Sequence, residues 1–309
     1  PQSQPNLHAM QKLSDLLRTN GSFAESEEFR KKLRKTIGDV EPPQIMSLLR
    51  NARQLANIRN PMASKVAQQA VIMASAYGPK SIILAKAMHV QGGVLRDLGK
   101  TNQSLDVLNQ SLKMTEDLLE PDDIPIARRL HEISLTLVKQ GRNQQAAEAL
   151  ERAIPIGIKN KDMEELPRWY HNLATAYANL KQYDKAIAAE NESARIIYET
   201  GASPDLKANV ENNLGCIYMR TKNYPKSEAA FKRALAAREG GRSTNQLGTE
   251  DIWWNLAFTY REERKYKQSL DALHTGMDLL VKVNPNHPSV KLFENIIKQF
   301  ESEQVRYAK

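Results

Sequence analysis

The chain has 309 residues, 41% of them hydrophobic and 26% charged, with 14 glycines and a formal net charge of +8, which reads as a soluble globular class with enough apolar residues for a core. No apolar run approaches the roughly 20 residues of a helical membrane span, and the single cysteine, Cys216, excludes an internal disulfide and fits a reducing compartment. The positive balance favours acidic partners in general, but clusters such as "RKKLRK", Arg30 to Lys35, lack interleaved aromatics and sit beside acidic runs, so they read as wet helix faces rather than a nucleic-acid surface.

The sequence opens at Pro1 rather than methionine, which reads as a processed or excised piece from which any targeting segment would be missing. The first two segments, "NLHAMQKLSDLLRTNGSFAESEEFRKKLRK" from Asn6 and "IMSLLRNARQLANIRNPMASKVAQQAVIMAS" from Ile45, have helical periodicity and read as degenerate helical hairpins. Pro61 stands where a first helical turn tolerates it. Next, "MHVQGGVLRDLGKTNQSLDVLNQS" supplies Gly92, Leu95, Ser104 and Leu108, and "LHEISLTLVKQGRNQQAAEALERA" supplies Ile133, Ser134, Leu137, Ala146, Leu150 and Ala153. The pattern then sharpens into "WYHNLATAY" at Trp169, "VENNLGCIY" at Val210 and "WWNLAFTY" at Trp253, whose leucines Leu173, Leu214 and Leu256 lie 41 and 42 residues apart. A small residue follows each leucine, then a tyrosine, and later a second small residue: Ala186, Ser227 or Ser269. That spacing puts leucine, small residue and tyrosine on one helical face and requires a second helix to approach closely, so each unit is a pair of antiparallel helices. Prolines at 43, 79, 121, 167, 204 and 285 punctuate the joints, and no segment alternates with the period of a strand. The final segment, "HPSVKLFENIIKQFESEQVRYAK", is a single amphipathic helix suited to covering the end of a stack.

These residues resemble the tetratricopeptide repeat family, whose pattern of aromatic, leucine, small residue and tyrosine is closest in "LGCIY", Phe231 and Ala234. A spacing of 40 to 42 residues rather than the commonest one of about 34 is similar to kinesin light chain and the Leu-Gly-Asn repeat proteins. The segment "ERAIPIGIKNKDMEELPRWYHN" also resembles the repeat subunit of the ciliary outer-dynein-arm docking complex. The expected architecture is all-α: a right-handed α-solenoid of about seven helical hairpins with a C-terminal capping helix. Its expected divisions are degenerate hairpins at 1–78, repeats at 79–285 and the cap at 286–309.

An asparagine stands directly before each of the three leucines: Asn172, Asn213 and Asn255. Leucine and tyrosine face the second helix, so this amide turns toward the inner side of the superhelix, where its donors and acceptor complement a peptide group. The resemblance implies that such amides hold an extended peptide by its backbone; the alternative is that each bonds the neighbouring helix and stabilises stacking. Helical spacing adds Arg168 and His171, then Asn212 and Arg220, and upstream His131 and Lys139, to the same face. Lys139, Arg168 and Arg220 then read as a positive strip, opposed only by Glu132, for an acidic segment. Trp254 and Phe258 read either as an apolar pocket at the groove's end or as packing into the capping helix.

The histidines His89, His131 and His171 recur at one repeat position, 42 and 40 residues apart, on successive helices too far apart to converge on one ion, so no metal is expected. Cys216 reads as a structural thiol, and no phosphate loop, paired catalytic carboxylates or zinc-helix motif appears. The run "REGGRSTNQLG", Arg238 to Gly248, reads as a long joint. The expected function is a non-enzymatic scaffold without cofactor, cytoplasmic or cytoskeletal, holding an acidic peptide in a concave groove. The alternatives are a fixed structural subunit of a ciliary or cytoskeletal assembly, and a regulatory subunit of an enzyme.

Overall fold

A computed structural model describes residues 42–239 and 248–307, with side chains to 303. The hairpin expected from Asn6 to Lys35, with its basic cluster, and most of the joint from Arg238 to Gly248 lie outside the described residues. The described residues form thirteen helices and no strand. They are α1 (Pro43–Asn57), α2 (Met62–Ser75), α3 (Ile82–Asp97), α4 (Thr101–Leu118), α5 (Ile124–Lys139), α6 (Asn143–Lys159), α7 (Leu166–Asn179), α8 (Tyr183–Glu199), α9 (Pro204–Arg220), α10 (Tyr224–Glu239), α11 (Thr249–Glu262), α12 (Tyr266–Val283) and α13 (Pro288–Tyr307). The architecture is an all-α solenoid of helical hairpins, in two compact units divided between Asn160 and Lys161. The first holds the hairpins α1/α2, α3/α4 and α5/α6; the second holds α7/α8, α9/α10, α11/α12 and the single helix α13.

Each hairpin turns by the same device. The second residue after the first helix takes a left-handed conformation at Arg59, Gly99, Gly141, Lys181, Lys222 or Arg264. The next backbone N–H then reaches back to the helix: Lys100 to the carbonyl of Leu95, Arg142 to Leu137, Gln182 to Tyr177, Asn223 to Tyr218 and Lys265 to Tyr260, all at 2.8 or 2.9 Å. This is the Schellman cap, which satisfies a carbonyl that the helix end would leave open. The accepting carbonyl belongs to the position repeated as tyrosine or leucine. At the opposite joints Pro43, Pro125, Pro167 and Pro204 occupy the first helical turn, where no N–H is needed, and Ser81 and Ser203 cap the N–H groups of Leu84 and Leu206.

The small residues mark where the two helices of a hairpin touch. A Cβ added to Gly215 would stand 2.5 Å from the Phe231 ring, and one on Gly92 would collide with Leu108. Beside this contact Ser104, Ser227 and Ser269 on the second helices donate to the carbonyls of Gly92, Gly215 and Ala257 at 2.7 to 2.9 Å. Ser104 and Ser227 also bond Thr136 and Thr259 of the following hairpin, so these buried hydroxyls pin three helices at once.

At the end of the second unit α13 buries Phe293, Ile297 and Phe300. Phe293 sits edge-on to Trp254 with centroids 4.7 Å apart, and Phe300 meets Phe258 at 5.4 Å. Arg261 makes two 2.8 Å bonds to Glu303 and lies over the Phe300 ring. The helix thus covers the last hairpin, as its apolar stripe requires.

Candidate functional site

Five residues stand in register on the second helices of successive hairpins: Leu108, Leu150, Glu190, Phe231 and Leu273. All are fully buried. In four hairpins a carbon side chain fills the interior at this point; in α7/α8 a carboxylate takes its place. An ionised carboxylate withdrawn from water is costly unless paired and hydrogen-bonded.

Glu190 has its partners on two first helices. His171 Nδ1 on α7 lies 3.1 Å from both carboxylate oxygens, and Asn213 Nδ2 on α9 lies 3.3 Å from Oε1 and 3.0 Å from His171 Nδ1. A carboxylate accepts only, so Nδ1 carries a proton and donates it, and the Asn213 amide likewise donates to Glu190. The only ring nitrogen left for a ligand is Nε2. The Glu190 side chain is 1% exposed and that of His171 is 36% exposed. Burial opposes charge on His171, but the hydrogen bond and the negative charge of Glu190 outweigh it, and the ring titrates above the ordinary histidine value.

Above this triad opens a cavity of about 680 Å³ between α7, α8 and α9. Pro167, Ile197, Leu206 and Val210 give it apolar walls, while His171, Asn209 and Asn212 supply polar groups. Met163 and Leu206, both 47% exposed, also line it. A concavity with apolar walls and convergent polar groups is suited to orienting an inserted side chain. Cys216 is half-buried, and burial pushes its thiol up to about 11, so it stays protonated at neutral pH. Among the described residues no three His, Cys, Asp or Glu side chains are placed to hold a metal ion, and no helix is long and apolar enough to cross a membrane.

The sequence profile of the tetratricopeptide repeat matches residues 83–159 and 165–240, which are the hairpins α3 to α6 and α7 to α10. The chain is a tetratricopeptide repeat protein. Solved structures share the fold at low identity. BtubC (BKLC) from P. vanneervenii matches 80% of this chain and 93% of its own at 19% identity, with a TM-score of 0.59. A putative kinesin light chain with nearly identical repeats, from Podospora anserina, matches 66% and 99% at 18% identity and a TM-score of 0.57. The apo form of the quorum sensor NprR from B. thuringiensis matches 97% and 82% at 13% identity and a TM-score of 0.64. No curated protein matches by sequence.

Within the repeats, the expected groove residues have diverse surroundings. Asn213 belongs to the Glu190 triad, and Asn255 Nδ2 donates to Asn212 Oδ1 at 3.2 Å and contacts Cys216 Sγ at 3.5 Å. Both amides therefore tie one first helix to the preceding repeat; Asn172 is half-buried and also engaged. Trp254 and Phe258 pack on α13, the second of the two readings of those rings. The count that left Glu132 as the one opposing acid is corrected. Glu132 is bound to Arg96, Lys139 lies 3.9 Å from Asp97, and Arg168 lies 3.2 Å from Glu165. Side chains one turn or one repeat away reach these bases, which a linear count does not capture. His131 is buried, and Arg220 is exposed with no ion pair among the described residues. The Glu190 carboxylate itself was overlooked. Its signal was present: a charged residue at a position that reads Leu, Leu, Phe and Leu in the other hairpins.

Proposed function

We propose that this chain is an interaction scaffold that holds an extended, acidic segment of a protein partner along α7, α8 and α9, with one apolar side chain of that segment seated in the cavity above Glu190. The observation that carries this reading is the cavity itself, which lies in the hairpin whose apolar core residue is replaced by a carboxylate. Exposed Met163 and Leu206 beside it offer apolar surface to a visitor, and His171 Nε2, Asn209 and Asn212 offer hydrogen bonds to its backbone. Exposed Arg220 and the net charge of +8 favour acidic flanks.

Selection of acidic random peptides on the purified chain, each with one apolar residue, tests this. The selected peptides should bind a Met163→Ser, Leu206→Ser variant at least tenfold more weakly, because seating one apolar side chain contributes about 1.5–3 kcal/mol. Both positions are half exposed, so helicity should be unchanged. Binders that ignore the double change would place recognition elsewhere.

A further inference from the structure

The repeat position filled by Ala87, Trp169, Val210 and Ile252, all buried, carries Arg129 on α5. Arg129 is 4% exposed, yet no carboxylate among the described residues pairs with it. Nε donates to Ser111 Oγ at 3.2 Å and Nη1 to the Pro125 carbonyl at 2.8 Å, which leaves Nη2 open. Ser111 in turn donates to the carbonyl of Ala85 at 2.6 Å, so the guanidinium is held against α3 one turn before His89.

His89 supplies the second observation. Its Nδ1 is buried without a hydrogen-bond partner. Burial, and then the positive charge of Arg129, Arg53, His131 and Arg96, hold this ring well below the ordinary histidine value, so it is neutral and can carry its one proton on Nδ1 as a donor. The acids of this face do not compensate: Glu132 and Asp97 are both bound to Arg96. Burial, with Arg128 alongside, pushes Arg129 down to about 10, so it remains charged at neutral pH. A buried cation kept where four other repeats carry an apolar residue destabilises the empty fold.

We infer that Arg129 and His89 form an oxyanion site on the first unit, in which a carboxylate or phosphate group supplies the negative charge that no described residue brings to Arg129. A guanidinium with an unused N–H, anchored one turn before a histidine whose buried ring nitrogen has no partner, matches the acceptor oxygens of either group. The site is independent of the cavity over Glu190.

The test is thermal melting of the full chain in chloride, and then at equal ionic strength with inorganic phosphate or with an N-acetylated tetraglutamate amide. One or both probes should raise the melting temperature by about 3 °C at saturation. A response to phosphate alone identifies a phosphoryl ligand, and a response to the peptide alone identifies an acidic segment. Arg129→Met should melt no lower than wild type in chloride and lose the response. Arg129→Lys, which keeps the charge but not the fork, should retain part of it. The Met163→Ser, Leu206→Ser variant should respond like wild type. A wild-type chain indifferent to both probes, an Arg129→Met variant that still responds, or one that melts well below wild type in chloride would each overturn the site.

Discussion

Replacing Phe231 by alanine is expected to destabilise the second unit by about 4 kcal/mol, which lowers its melting temperature by roughly 10 °C. The ring is fully buried and lies directly on Gly215, so its removal leaves a hole that two packed helices cannot easily close. Gly215→Ala should also destabilise, by about 1–2 kcal/mol, because the added methyl meets the ring at 2.5 Å while the helix-propensity gain of roughly 1 kcal/mol only partly offsets the clash. The double variant should lose less than the sum of the singles, since the methyl then occupies space vacated by the ring. Melting curves by circular dichroism decide this. A neutral Gly215→Ala variant would mean that the ring gives way freely and that the small residue is not set by contact.

The second large effect concerns the buried carboxylate. His171→Ala should destabilise by about 3 kcal/mol at pH 6, because Glu190 is left 1% exposed with only the Asn213 amide as partner. Glu190→Leu removes the charge and restores the residue type found in other hairpins, so it should fall within about 1 kcal/mol of wild type. Combining the two should recover most of what His171→Ala loses. The pH dependence has a definite sign. Glu190 raises the folded-state titration of His171, so this pair's contribution is fully present below about 6.5, the unfolded histidine value, and is lost as pH rises through the higher folded value. Wild-type melting temperature should therefore fall more steeply above pH 6.5 than that of Glu190→Leu. Parallel pH profiles would show that the two side chains are neighbours without being electrostatically coupled.

The hairpins were legible because their cause is local and periodic. Leu173, Leu214 and Leu256 with their small partners fix which helical face is buried, and Pro43, Pro167 and Pro204 mark where helices begin, while Pro79, Pro121 and Pro285 lie in the joints themselves. The left-handed turn residues were less legible, since Lys181, Lys222 and Arg264 stand where glycine would be easier, and the conformation is set by the cap rather than by residue type. The candidate site was only half legible. His171 and Asn213 could be placed on one face by spacing, but what they face is a carboxylate on α8, the second helix of His171's own hairpin and of the hairpin before Asn213.

By itself, the sequence determined the number of residues per repeat and the helical faces that pack. Those are properties of periodicity, and periodicity is written in the order of residues. Only the tertiary structure decided that Glu190 is hydrogen-bonded by His171 and Asn213 whereas Arg129 finds no carboxylate among the described residues. It also decided that Trp254 and Phe258 are covered by α13. The reason is that a buried charge or ring is judged by its neighbours within a few ångströms, and in stacked hairpins those neighbours lie about 20 to 40 residues away along the chain, on helices whose separation is set by side chains packing rather than by sequence distance.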